Sequence, residues 1–295
     1  MGHSFEHLNS RKHDQIASYW IESETCPPLD LLILTIQDDL GVALNGGRIG
    51  ARFGAEAVIN VFQKMIAPHP EIKIKKVVLE TIGESLEQRQ MSYADQISKI
   101  LKKYPSKKVI HIGGGHDHIY PLAMAIDNSE LMIVNIDPHL DTRTDQLAHS
   151  GTPFRQIAKE KKLKLIQWGT HSFANAPANY TKLEKASMQI IDNDLISREP
   201  EQSHRSLMQA LAEHAGTSIL SLDVDAIESS VMTGVSAVNY QGLSTEIVHR
   251  VFEEYLRTYK GTAFFGIYEF NPIYDDLSQK GARFIAYLLY QILKA

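Results

Sequence analysis

Three short stretches carry side chains that could do chemistry together. In Asp137-Pro-His139-Leu-Asp141, two carboxylates and an imidazole recur at every second position. In extended backbone, residues i, i+2 and i+4 project to the same side, so these three groups converge. Pro138 has no N–H to donate, which predicts that regular strand pairing stops there. Two carboxylates and an imidazole crowded together repel or stay undersatisfied unless a cation sits among them. Asp223-Val-Asp225 repeats the spacing, and the run beginning at Val109 passes through Gly113-Gly-Gly115 into His116. His116, Asp137, His139, Asp141, Asp223 and Asp225 make six ligands, enough for two metal ions with a shared water.

Aspartate and histidine without cysteine form a hard, oxygen-rich donor set that suits Mn²⁺ better than structural Zn²⁺. Four carboxylates balance the charge of two divalent ions. Two such ions about 3.5–4 Å apart can lower the pKa of a shared water to about 7, giving a hydroxide nucleophile at neutral pH. Taken singly, an Asp-x-Asp is usually a turn and a buried histidine is usually a hydrogen-bonded core residue. Here each motif directly follows an apolar run, and that recurrence carries the inference.

Those runs belong to a regular series. Strands are expected over Leu31–Thr35, Lys76–Glu80, the run from Val109, Leu131–Asp137, Leu163–Trp168, Met188–Ile191, Ile219–Asp223 and Thr262–Tyr268. Helices are expected near 55–65, 84–103, 119–128, 153–161, 200–215, Thr245–Tyr259 and 277–294. Eight strands largely alternating with helices predict a parallel sheet covered on both faces. Ligands in such sheets lie beyond the carboxyl ends of strands, where every proposed ligand falls. A short helical lead over residues 1–30, from Asp14 to Glu24 and stopped by Pro27-Pro28, is expected to cover an edge or meet another subunit. The glycine-rich stretch from Asp38 to Gly54 lacks the G-x-G-x-x-G spacing of a dinucleotide loop and reads as a loop closing over a pocket. No repeat or linker interrupts residues 1–295, which read as one domain.

At 295 residues, 43% hydrophobic and 22% charged, the chain has an ordinary globular composition and can bury a sizeable core. A net charge of −5 argues against nucleic acid as a partner. No apolar run approaches the roughly 20 residues a membrane span needs, and the polar start resembles neither a signal peptide nor a myristoylation site. A single cysteine, Cys26, allows no intrachain disulfide and no cysteine metal cluster. A cytoplasmic location is the expectation.

At these residues the sequence resembles the ureohydrolase family of arginases, agmatinases and formimidoylglutamases, from Asn45-Gly-Gly-Arg-Ile-Gly-Ala51 to Glu269-Phe-Asn-Pro272. The resemblance implies a three-layer α/β/α fold with an eight-stranded parallel sheet, of the arginase/deacetylase-like class, and two Mn²⁺ per chain. It implies His116, Asp137, Asp141 and Asp223 around one ion and His139, Asp225, Asp137 and Asp223 around the other. Glu269 matches the family's acid that pairs with a cationic amidine or guanidine. The resemblance also implies a homo-oligomer, trimeric or hexameric.

Within the family, Gly113-Gly-Gly-His-Asp117, Asp141-Thr-Arg143 and Ser150-Gly-Thr-Pro-Phe-Arg155 resemble formimidoylglutamases most. Arg143 is expected to receive a substrate carboxylate through a bidentate pair, with Ser150 beside it. Arginases and agmatinases carry a proton-shuttling histidine where this chain has Ser150. His149, one residue earlier, is the nearest counterpart as a catalytic acid. Glu228 stands where the family usually has an aspartate near the metals. The expected activity is hydrolysis of a C–N bond of a linear amidine, N-formimidoyl-L-glutamate, to L-glutamate and formamide, a step of histidine catabolism. The alternatives are a guanidine hydrolase releasing urea (agmatinase, guanidino-acid hydrolase or arginase) and a metal-free scaffold or regulatory protein retaining the fold. A mononuclear zinc deacetylase fits less well, because six ligands are too many for one ion with an open position.

Overall fold

The computed structural model describes residues 12–25, 27–128, 130–258 and 261–295. Residues 1–11 of the expected N-terminal lead, Cys26 and Tyr259 lie outside the described residues. In chain order the elements are β1 (Leu31–Thr35), α1 (Leu40–Leu44), α2 (Gly54–Phe62), β2 (Ile74–Val78), α3 (Leu86–Lys103), β3 (Lys108–Ile112), α4 (Ile119–Ala125) and β4 (Glu130–Ile136). They continue with α5 (Pro153–Glu160), β5 (Lys162–Thr170), β6 (Ala186–Asp192), α6 (Asn193–Arg198), α7 (Pro200–Ala212), β7 (Thr217–Asp223), α8 (Thr245–Thr258), β8 (Ala263–Tyr268) and α9 (Lys280–Lys294).

The eight strands form one sheet in the order β2-β1-β3-β8-β7-β4-β5-β6, and every pairing is parallel. The apolar runs serve both faces, as period-two side-chain alternation requires. In β4, Met132, Val134 and Ile136 join one core, with α2, α7, α8 and α9. Leu131 and Ile133 of the same strand join the other core, with α3, α4 and α5. Two helical layers therefore sandwich the sheet, as expected. The strands at the two edges bury less: β6 alternates half-buried with exposed residues.

The central strands β3, β8, β7 and β4 are neighbours, and they run level at their carboxyl ends. Ile112 pairs with Ile267, Asp223 with Tyr268, and Ile136 with Leu222. That registration brings three motifs, spread over more than 100 residues of sequence from His116 to Asp225, to one rim of the sheet.

Two expectations are corrected. In place of a helix from Asp14 to Glu24 there is a single 3-10 turn, Ile16–Tyr19. The segment's backbone pairs elsewhere: Ile16 N–H donates to Met65 O at 2.9 Å and Ile21 N–H to Ile74 O at 2.8 Å. Trp20 packs edge-on against Phe62, so the segment covers the β2 edge of the sheet without becoming helical. The second strand is Ile74–Val78, two residues before its expected position, because pairing with Leu31–Thr35 sets its register. Two short helices, α1 and α6, had no counterpart in the sequence pattern.

Candidate metal centre

All six expected ligands converge beyond the carboxyl ends of the central strands. Among the described residues, one group of donor atoms within 4.8 Å of one another comprises His116, Asp137, Asp141 and Asp223, and a second comprises Asp137, His139 and Asp225. Asp137 belongs to both. Asp223 belongs to the first, and its other oxygen accepts the Asp225 N–H at 3.0 Å.

Each side chain is held by its element. The triple glycine after β3 lets the chain pass against Asp38: a Cβ at Gly114 would overlap the Asp38 carbonyl oxygen. His116 then sits in a 3-10 turn with no exposed surface. Tyr268 stacks on its ring (centroids 5.1 Å apart, 25°), and Phe154 meets the ring edge-on at 5.6 Å. His116 Nε2 is 2.9 Å from Ser221 Oγ, a partner that leaves Nδ1 to face Asp137, Asp141 and Asp223 at 3.0–3.3 Å. Asp137 accepts the N–H of His139 at 2.6 Å and an amide N–H of Asn135 at 3.1 Å. Asp141 (φ 50) and Glu269 (φ 67) both adopt left-handed backbone, which aims their carboxylates away from the path of their strands. Glu269 is locked reciprocally. Its N–H donates to Gly114 O at 2.7 Å, and its carboxylate accepts the His116 N–H at 3.0 Å.

The electrostatics describe a site built for cations. Burial opposes charge on His116, yet the carboxylates of Asp137, Asp141 and Asp223 facing its Nδ1 outweigh it and push the imidazole well above the histidine range. His139 is also raised: burial is overcome by the charges of Asp225 and Asp137. Burial favours the neutral acid at Asp137, but the adjacent rings of His116 and His139 lower it to about 2. Burial and the neighbouring Asp137 raise Asp141 to about 6, while burial and Asp223 push Asp225 and Glu269 well above the carboxylate range. The cluster thus holds protons where cations would be more favourable. Two buried atoms, His116 Nδ1 and Asp225 Oδ1, make no hydrogen bond and point into it. An oxygen-rich set with orphaned donor atoms fits a pair of hard divalent ions.

Four of the six residues of the cluster line a cavity of about 330 Å³. His139, Asp141, Asp223, Asp225 and Glu269 line it below; Arg143, Ser150, Asn45 and Gly47 line its mouth. The glycine-rich loop therefore closes over a pocket. It is pinned by Asp39, which accepts the Gly50 N–H at 2.7 Å, and by Asn271, whose amide donates to Arg48 O and Ile49 O.

His149 is the expected site residue that the fold keeps out of this lining. Its Nε2 lies 2.9 Å from Asp145 Oδ2, and its Nδ1 accepts the Gly151 N–H at 3.1 Å, so neither ring nitrogen faces the cavity. Glu228 also stands outside the lining, tied through backbone bonds to Leu243 and the Asn239 segment. Four polar residues lining the cavity, Asn45, Asn175, Asn179 and Ser236, were not among the expected site residues. Asn175 accepts the Leu140 N–H at 2.8 Å and donates to Pro138 O at 2.9 Å, bracing the turn that carries the ligands. Asn45 and Asn179, like Asn175, are single asparagines in loops and give no periodic signal. His171 was reachable by the strand-end rule. It follows β5 and lies buried against Asn239 beside the cavity.

Comparison with known proteins agrees with this architecture. A curated formimidoylglutamase from Staphylococcus epidermidis is 27% identical over 265 residues, covering 86% of this chain and 83% of that protein. The crystal structure of Trypanosoma cruzi formiminoglutamase with manganese superposes with a TM-score of 0.80 at 21% identity, covering 95% of this chain and 97% of that one. Formimidoylglutamase from Bacillus subtilis superposes at 0.84 with 18% identity, over 99% and 94% of the two chains. Residues 37–294, from just before the glycine-rich loop through the last helix, match the family described as the arginase family, so this chain belongs to the arginase family.

Proposed function

We propose that this protein is a manganese-dependent formimidoylglutamase that hydrolyses N-formimidoyl-L-glutamate to L-glutamate and formamide. The observation that carries the reading is the polarity of one cavity: a buried His/Asp cluster and Glu269 at its floor, and the Arg143 guanidinium at its mouth. A substrate with an amidinium at one end and carboxylates at the other matches that gradient. Agmatine, cationic at both ends, would meet Arg143 with like charge. The choice of an amidine over a guanidine carboxylate such as arginine is supported by the relative from Staphylococcus epidermidis, which is named a formimidoylglutamase.

His116, Asp137, Asp141 and Asp223 would hold one ion, and Asp137, His139 and Asp225, with Asp223 at the edge of this group, the other. Manganese is supported by the hard donor set and by the metal in the Trypanosoma cruzi structure. When bound, such a pair supplies a hydroxide nucleophile at neutral pH. Glu269 orients the amidinium and stabilises its positive charge while water's oxygen bonds to the formimidoyl carbon. The bond from that carbon to the glutamate nitrogen breaks, and the nitrogen leaves with a proton from the water. Arg143 takes a glutamate carboxylate and fixes the distance between the substrate's two ends.

A product assay tests this. Manganese-loaded protein should release formamide and glutamate in equal amounts from formimidoylglutamate, and no urea from arginine, agmatine or guanidino acids. Urea release without formamide would discard the substrate and leave the metal site standing. Failure to take up manganese would instead favour the scaffold reading.

A further inference from the structure

Arg143 does not reach over the cavity unsupported. Its Nε–H donates to Asp145 Oδ2 at 2.8 Å, and its Nη1–H donates to Asn45 Oδ1 at 2.6 Å. The same Asp145 oxygen takes His149 Nε2 at 2.9 Å. His149 Nδ1 accepts the Gly151 N–H, so the proton of a neutral ring sits on Nε2 and is donated to Asp145. Gly151 O in turn accepts the Arg143 N–H at 3.0 Å, which closes a ring of contacts through the loop. Asn45 donates from its amide to Ser150 Oγ at 3.0 Å, joining the ring to the glycine-rich loop. Arg143 and Asp145 are about half exposed (46% and 45% of their side chains), whereas His149 is buried at 7%.

We propose that Asp145 and His149 are positioning residues: with Asn45 they hold the Arg143 guanidinium in the orientation that receives a substrate carboxylate. The proposal rests on the assignment of Arg143 under the proposed function. An exposed Arg–Asp pair adds little to stability. Its effect lies in binding, because a guanidinium already held in place loses less rotamer freedom when the substrate arrives. His149, with both nitrogens committed to the loop, acts through Asp145 and transfers no proton to substrate.

The test combines kinetics on formimidoylglutamate with the rate at which phenylglyoxal modifies Arg143, followed by peptide mass spectrometry. Asp145→Ala and His149→Ala should raise KM roughly three- to tenfold and leave kcat within about twofold of wild type. The double variant should be no worse than Asp145→Ala, because both residues act through one guanidinium. His149→Gln should restore the wild-type KM, since its amide N–H can replace the Nε2–H donor although it cannot carry a proton. Phenylglyoxal should modify Arg143 faster in the two alanine variants and at the wild-type rate in the glutamine variant. A large loss of kcat in both His149→Ala and His149→Gln, with KM unchanged, would make His149 a proton carrier and overturn the proposal. Unchanged KM together with an unchanged modification rate in the alanine variants would also overturn it. If wild-type protein does not turn over formimidoylglutamate, the substrate reading fails by itself, and the modification rates decide the positioning roles.

Discussion

Glu269 brings a carboxylate to the cavity from a strained, left-handed residue, and Gly114 and His116 hold it on two sides. Burial and the charge of Asp223 push it toward the neutral acid, so a cationic partner in the cavity would recover the charged form. Replacing it with glutamine keeps an acceptor for the His116 N–H and removes the negative charge. Glu269→Gln is expected to lower kcat/KM about 10²- to 10³-fold, comparable to losing one preorganised transition-state contact, with the manganese content unchanged. Steady-state kinetics with elemental analysis checks both; a loss under threefold would take Glu269 out of the reaction. At this scale the sequence was largely legible. The six candidate ligands stand out because each of their motifs follows an apolar run. That His149 lies outside the cavity lining could not be read from its position alone, because whether a loop histidine faces the cavity depends on where Asp145 and Gly151 fall.

The elements turn those residues into a site through a few close approaches. The glycine loop after β3 has space for no side chain at Gly114, where the obstacle is the Asp38 backbone and cannot swing aside as a flexible side chain would. Gly114→Ala is therefore expected to cost about 2 kcal/mol or more of stability and to weaken manganese binding by displacing His116. Urea unfolding and a metal titration measure the two effects, and wild-type behaviour in both would show that the loop can yield. The glycines were visible in the sequence, but the chain segment that they approach was not. The same holds for the first segment. Its residues allow a helix, and only the open edge of β2 and the α2 terminus, both distant in sequence, offered its backbone N–H groups competing partners.

For the molecule as a whole, binding of the proposed ions would be coupled to protonation and to folding. In the metal-free protein Asp141 is raised to about 6 from an ordinary 3.8, and His116 and His139 are raised above an ordinary 6.5. For these groups the folded state binds more protons than the unfolded chain. Their stabilising contribution is full below the unfolded values and is lost as pH rises through the folded ones, for Asp141 between about pH 4 and 6 and for the histidines from about pH 6.5 up to their raised values well above it. Asp137, lowered to about 2, acts in the opposite sense, but only between about pH 2 and 4. Metal ligation needs the deprotonated forms, so affinity for manganese rises over the range in which the metal-free cluster destabilises the fold. The difference in Tm between manganese-loaded and chelator-treated protein should widen from pH 5 to pH 8, as read by thermal unfolding in matched buffers. A constant or shrinking difference would mean that the ions do not bind among these groups. Among the described residues no helix is long and apolar enough to cross a membrane.

The amino-acid order alone singled out the six residues whose donor atoms suit hard cations, because ligand chemistry is a property of residue type and the i, i+2 spacing aims side chains within one strand. It also determined the layered parallel fold, since apolar runs without alternation must be buried on both faces. The tertiary structure alone decided that β3, β8, β7 and β4 lie side by side, and hence that His116, Glu269, Asp223 and Asp137 meet at one rim of the sheet. It also decided that His149 serves the loop while Arg143 faces the cavity. Those outcomes depend on strand order and on competition between distant partners for the same hydrogen bonds, which no local pattern encodes.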